Sequence, residues 1–288
     1  MTAEYKLIDA VAYPPNMKLP KDPLLSKVFG DTNFQGATLE QMVAQMDQCS
    51  IQASIITVNS ASAEPFHPYR VGQKVDDAAF DSACRDVAGM IARYPGRFFG
   101  CVAIDPTGMM KSVRQLERAV REYGFNGCFM LPARIGLPPN HACYFPIYAK
   151  CVELGIPVRM NVGFPAFQGF GWVQQPLHLD EVLLAFPELI VVGAHVGHPW
   201  HLECIALLQK YPNFHLLTSG WVPKRVPQEL WQFANTRGAN KLMWASDYPL
   251  LPMERCAREG WEVPVKDEVK RRYLRENAIE VFKLKLPN

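Results

Sequence analysis

The 288-residue sequence predicts a (β/α)8 barrel, an α/β fold built as one domain over residues 1–288. Three observations predict it. Eight short apolar runs recur along the chain, helix-period segments separate them, and the runs are apolar throughout instead of alternating. The last feature marks strands of a parallel sheet covered on both faces. The length agrees, since such barrels run to about 250 residues or more. A hydrophobic fraction of 49% supplies a large core, and 20% charged residues supply a polar surface. An open doubly wound sheet is the alternative, but the glycine-rich phosphate turn expected after its first strand is missing.

Taken in order, the first run is YKLIDAVAY (5–13), followed by QASIITVN (52–59), FFGCVAIDP (98–106) and FNGCFMLP (125–132). The second half continues with PVRMNVG (157–163), LIVVGAHVG (189–197), FHLLTSG (214–220) and KLMWASDYP (241–249). Between them LEQMVAQMDQC, DSACRDVAGMIARY, VRQLERAVREYG, PIYAKCVELG and DEVLLAF carry apolar residues at helical spacing. Two connections, Pro14 to Gly36 and Ser60 to Val75, are too long for tight βα turns and read as cover for a site.

Composition removes several classes of function. A net charge of +2 with no basic run gives no nucleic-acid surface. No stretch of about 18 apolar residues exists, so no membrane span is expected. Glu4, Lys6 and Asp9 interrupt the opening stretch, which therefore does not read as a secretory leader. The eight cysteines, Cys49, Cys84, Cys101, Cys128, Cys143, Cys151, Cys204 and Cys256, are scattered without CxxC pairs. They read as reduced small hydrophobes in a cytoplasmic protein.

Chemistry in such a barrel sits at the carboxyl ends of the strands. Those ends offer Asp9, Tyr13, Asn59, Asp105, Arg134, Asn161, His195, Ser219, Trp221 and Asp247. His195 shares the parity of Val191 and Gly193 and is read as pointing inward. His198 and His201 follow at suggestive spacing, but only His195 lies on a strand, so a three-histidine metal site is not expected.

The strings GAHVGHPW, YPNFHLLTSGW and WASDYP, with LIDAVAY near the start, GIPVRMNVG in the middle and RENAIEVF in the closing helix, resemble the amidohydrolase superfamily. The resemblance is to the branch of aminocarboxymuconate-semialdehyde decarboxylase, which also holds hydratases and a metal-independent lactonase. It implies a TIM barrel of the metallo-dependent hydrolase type. It also implies that His195 is an acid/base and that Asp247 stands at a metal-ligand position. The branch opens Asp-x-His-x-His, whereas this chain reads Asp9-Ala10-Val11-Ala12-Tyr13, and Asn161 stands where the branch has its fifth-strand histidine. A zinc site needs three or four N, O or S ligands. With Val11, Tyr13 and Asn161 in those places, neither metal nor other cofactor is expected.

Asp247 is therefore expected as a general base and His195 as its proton-transfer partner. Asn161 and Tyr13 are substrate-binding candidates, each with a filling role as the bland alternative. Arg134, after the fourth strand, has a planar fork suited to a carboxylate. His67 and Arg70 on the long second connection are further substrate-binding candidates. Arg159 and Asp9 both read as inward-facing and are expected to form a buried ion pair. The function expected is metal-independent, lactonase-like hydrolysis of a small anionic carboxylate. Two alternatives stand beside it: a non-catalytic barrel paired with an active homologue, as a homo- or hetero-oligomer, and a decarboxylase.

Overall fold

The computed structural model describes residues 5–15, 37–58, 77–167 and 169–287. His67, Arg70 and Asn59 lie outside the described residues, as do most of the two long connections.

The eight apolar runs form eight strands: β1 (Leu7–Ala12), β2 (Ile51–Val58), β3 (Phe98–Ala103), β4 (Gly127–Met130), β5 (Val158–Asn161), β6 (Val191–Ala194), β7 (Phe214–Leu217) and β8 (Leu242–Met243). Each pairs in parallel with the next in sequence. The ring closes between β8 and β1, where Ala10 N donates to Trp244 O at 3.2 Å and Asp247 N to Val11 O at 2.9 Å. Ala12 and Tyr248 add a parallel bridge. The doubly wound alternative is thereby excluded.

A principal helix follows each strand: α1 (Leu39–Gln48), α2 (Asp77–Arg93), α3 (Met110–Arg121), α4 (Phe145–Leu154), α5 (His178–Ala185), α6 (His201–Lys210), α7 (Gln228–Ala234) and α8 (Met253–Trp261). Local signals set their ends. Thr38 and Gln41 make a capping box at the start of α1, satisfying two amides that the helix leaves unpaired. Gly155 in the left-handed conformation ends α4. A closing helical segment, Asp267–Arg271 through Asn277–Phe282, packs beneath β1 and β8.

Two apolar layers hold the barrel. Outside the sheet, Val58, Phe98, Val102, Val158, Met160, Val191, Phe214, Leu216 and Trp244 face the helices. Inside, Ile8, Ala53, Ile55, Phe99, Cys101, Phe129, Val192, Ala194, Leu217, Met243 and Ala245 fill the lumen. The strict alternation of a strand assigns every second residue to each layer. All eight cysteines are free thiols, six of them buried, as the sequence led us to expect. No helix among the described residues is long and apolar enough to cross a membrane.

Alternation fails in two informative places. Val191 belongs to the outer layer, so the parity that it shares with His195 points away from the lumen. His195 nevertheless turns toward Asp247, because its backbone leaves the strand at φ 73° and breaks the alternation. The sequence argument from parity was therefore mistaken, although the residue that it selected does face Asp247. On β1 the pairing register with β2 shifts between Leu7 and Ile8 and again between Asp9 and Ala12. Val11 faces the lumen, whereas Asp9 meets Ser246 of the β8 segment, which has the outward parity of Trp244.

Candidate active site

The carboxyl end of β8 delivers Asp247. Its residue parity with Met243 and Ala245 directs it inward, and its backbone takes φ 58°. Non-glycine residues pay a steric penalty there, of about 1–2 kcal/mol, and such strain clusters where geometry serves function. His195 and Val196 at the end of β6 also have positive φ, 73° and 56°. Three left-handed non-glycine residues thus stand at the mouths of two strands.

Asp247 is 1% exposed. Neither of its carboxylate oxygens has a hydrogen-bond partner among the described residues. Burial raises its pKa above the usual carboxylate range, while the nearby charges of His195 and Arg159 oppose the rise. His195 Nδ1 lies 3.9 Å from Asp247 Oδ2. The same nitrogen is 2.9 Å from the carbonyl oxygen of Ser219, an acceptor only, so Nδ1 carries the proton in the neutral ring. That assignment leaves Nε2 able to accept a proton.

Gly220 makes this arrangement possible. It has φ 73°, and a Cβ there would lie 2.7 Å from His195 Nδ1 and 3.4 Å from Asp247 Oδ2. Gly163 plays a parallel part after β5. A Cβ on it would strike the His198 carbonyl at 2.6 Å, so only glycine lets the β5 and β6 loops press together. Gln174 then ties the β5 loop, its Nε2 donating to Gly163 O at 2.7 Å.

On β5, Asn161 is 8% exposed and its Oδ1 lacks a partner. Tyr13 follows β1, its amide donating to Tyr248 O at 2.8 Å. Burial and the carboxylate of Asp247 push its hydroxyl pKa up, with Arg159 and Arg134 pulling the other way. Arg134 sits in a one-turn helix, Pro132–Ile135, and burial lowers its pKa. The mutual electrostatic influence of Tyr13, Asp247, Arg159 and Arg134 joins four of these side chains in one neighbourhood.

The expected ion pair of Asp9 with Arg159 is not formed. Asp9 accepts from Ser246 N at 2.8 Å, from the Ser246 hydroxyl and from Val11 N at 3.3 Å. Arg159 instead donates from Nη2 to Thr57 Oγ1 at 2.7 Å. The register shifts of β1 are the physical reason: they turn Asp9 to the β8 seam, away from the lumen that holds Arg159. Other polar residues at strand ends are structural. Asp105 caps its own turn by accepting from Thr107 N at 2.9 Å. The His198 ring lies 5.1 Å from that of Trp221, and His201 Nε2 lies 3.7 Å from Glu229 Oε2.

The branch's divalent metal does not fit these residues. Val11 offers no donor and is packed in the apolar lumen. The Tyr13 hydroxyl is held protonated, and the Asn161 oxygen is neutral. Among the described residues no three His, Cys, Asp or Glu side chains converge closely enough to hold a metal ion. We derive no step through one.

The sequence missed Arg159 as a candidate site member, along with Thr57 and Gly220. A usable signal was present in the glycine of TSGW, which directly follows the end of β7.

The model of the Amidohydrolase family matches residues 8–284. Gamma-resorcylate decarboxylase of Polaromonas sp. is 22% identical over 291 residues, which cover 85% of this chain and 87% of that protein. A 2-keto-4-carboxy-3-hexenedioate hydratase of Sphingobium sp. is 29% identical over 116 residues, 37% of this chain and 34% of that one. Among solved structures, an uncharacterised TIM-barrel protein of Bordetella bronchiseptica is similar with a TM-score of 0.80 and 22% identity, covering 97% and 99% of the two chains. The 5-carboxyvanillate decarboxylase of Sphingomonas paucimobilis gives 0.72 at 16% identity, covering 98% and 100%. The structural likenesses establish the barrel, and the family match establishes that this chain belongs to the amidohydrolase family.

Proposed function

We propose that this amidohydrolase-family barrel is a metal-independent acid–base enzyme that hydrolyses a lactone-like ester or amide of a small carboxylate-bearing molecule. One observation carries the reading. Asp247 is a buried carboxylate at the barrel mouth with no hydrogen bond on either oxygen, raised in pKa by burial and faced by His195. A purely structural carboxylate in such a place would be satisfied by donors, because an unsatisfied buried polar group costs about 1–3 kcal/mol.

In this reading Asp247 takes a proton from water as the water oxygen adds to the substrate carbonyl carbon. The carbonyl electron pair moves to oxygen, where Asn161 and Tyr13 donate and Arg134 supplies positive charge. Collapse of the adduct breaks the bond to the leaving oxygen or nitrogen, which takes the proton back from Asp247. A raised pKa suits both halves of this cycle, since a base poised near the working pH both accepts and returns a proton. His195, 3.9 Å away, favours the ionised form of Asp247 and so opposes the effect of burial.

Decarboxylation is the second reading, and the curated relative spanning most of the chain, named a decarboxylase, favours it. There Asp247 in its protonated form would deliver a proton to the carbon that keeps the electron pair when carbon dioxide leaves.

The test uses the purified chain after dialysis against chelator, with its metal content measured on the same batch. A panel of small lactones, amides and hydroxybenzoates is followed for acid release and for carbon dioxide. Chelator-resistant turnover with acid release, and no carbon dioxide, is the expected result. Carbon dioxide release selects the second reading. One equivalent of retained metal overturns metal independence. No turnover of any member overturns the enzymatic reading in favour of a ligand-binding or partner-supporting barrel.

A further inference from the structure

Arg159 is 1% exposed, yet no ion pair among the described residues includes it. Among the described residues, of its three guanidinium nitrogens only Nη2 is engaged, by Thr57 Oγ1 at 2.7 Å, and Nε and Nη1 have no hydrogen-bond partner. Its guanidinium carbon stands 4.2 Å from the centre of the Phe129 ring, which holds the plane of the fork in place. A buried guanidinium without an ion pair in direct contact costs several kcal/mol, and Asp247 is felt only through space. Its position points to a use. Arg159 stands on the lumen face of β5, two residues below Asn161. Two residues of strand span roughly 6–7 Å, so Arg159 forms the floor beneath the level of Asn161 and the strand mouths.

We infer that Arg159 is the carboxylate anchor of this site, taking the substrate's carboxylate at the floor while a different carbon of the same molecule reacts at the level of Asp247 and His195. The inference rests on the proposed reading in that it takes Asp247 to mark the reacting level. It also narrows the substrate class. The molecule is a compact ring or short chain bearing a carboxylate that is not itself the reacting group. Its anchored end and its reacting centre lie on opposite sides, one strand layer apart. Under decarboxylation the same geometry requires a second carboxyl group. Arg134, at the mouth beyond β4, is then left to the charge that develops at the reacting end. The Phe129 ring beside the guanidinium favours a flat, partly apolar body over a fully polar one.

Benzoate and benzamide test this, because they differ chiefly in the charge that Arg159 would read. Binding is measured by calorimetry, with thermal melting to confirm folding. Wild type should bind benzoate and not benzamide. Arg159→Met should weaken benzoate at least about tenfold, the loss expected of a charge-assisted contact. Arg159→Lys, which keeps the charge and loses the fork, should fall in between and covers the case in which the methionine variant does not fold. Asp247→Asn should bind benzoate as tightly as wild type or more so, since it removes a competing negative charge. If Arg159→Met folds and binds benzoate as wild type does, or if wild type does not bind benzoate, the anchor is wrong. A lower melting temperature for Arg159→Met with unchanged binding would make the residue structural and overturn it as well. Full turnover in Asp247→Asn, with benzoate binding still dependent on Arg159, would remove the proposed chemistry and leave the anchor standing.

Discussion

At the amino-terminal end of the barrel the ammonium of Lys241 is buried just before β8, and it donates to the carbonyls of Tyr211, Pro212 and Phe214 at 3.0, 2.8 and 3.1 Å. Toward the carboxyl end Arg159 is buried as deeply, with two nitrogens unpartnered. The carboxylates repeat the contrast. Asp9 accepts three hydrogen bonds in the β1–β8 seam, and Asp247, further along the same seam, accepts none. Burial alone therefore does not separate the groups that hold this barrel from those we propose to act. Satisfaction does. A buried charge surrounded by fixed donors or acceptors has no capacity left for a ligand, whereas one without them is held ready by the fold at a cost.

Four experiments break or sharpen this contrast. The largest effect is expected from Asp9, the satisfied carboxylate. Burial outweighs its hydrogen bonds and raises its pKa from 3.8 to about 7. Between those values the native state holds a proton that the unfolded state has released, so stability from this group is present at low pH and lost as pH rises to about 7. Three units correspond to about 4 kcal/mol. The stability of wild type relative to Asp9→Asn should decline by that order from pH 4 to pH 8 in urea titrations. A flat difference would mean that the seam hydrogen bonds outweigh burial.

Asp247→Asn comes second. On a confirmed substrate it should lose at least about a hundredfold in turnover, close to 3 kcal/mol. Its melting temperature should hold or rise, because an unsatisfied carboxylate is removed. Lost stability with retained turnover would place Asp247 with Asp9 and end the contrast.

Lys241→Met should destabilise by about 1–3 kcal/mol, since three buried carbonyls lose their donor. KM and kcat should not move, as the residue lies at the far end of the barrel. Altered kinetics would show that the two ends are coupled.

The smallest effect is expected from Gly220→Ala. The left-handed backbone costs about 1–2 kcal/mol with a Cβ. That Cβ would lie 2.7 Å from His195 Nδ1, so the ring must shift away. Turnover should fall more than KM rises. Unchanged kinetics would remove His195 from the reaction.

The sequence by itself determined the barrel and the order of its strands. These are local properties: apolar period, run length and residue type are carried by neighbouring residues and survive any uncertainty about register. It also singled out Asp247, His195, Asn161 and Tyr13, because strand ends are legible from the runs themselves. Only the tertiary structure decided which of the buried charges were matched. The Asp9–Arg159 pair looked natural from strand parity, yet two register shifts on β1 turned Asp9 toward Ser246 and left Arg159 bonded to Thr57. The left-handed backbone at His195 likewise reversed the face that alternation assigned. Both outcomes depend on the meeting of strands distant in sequence, where one residue of slip exchanges lumen for helix layer.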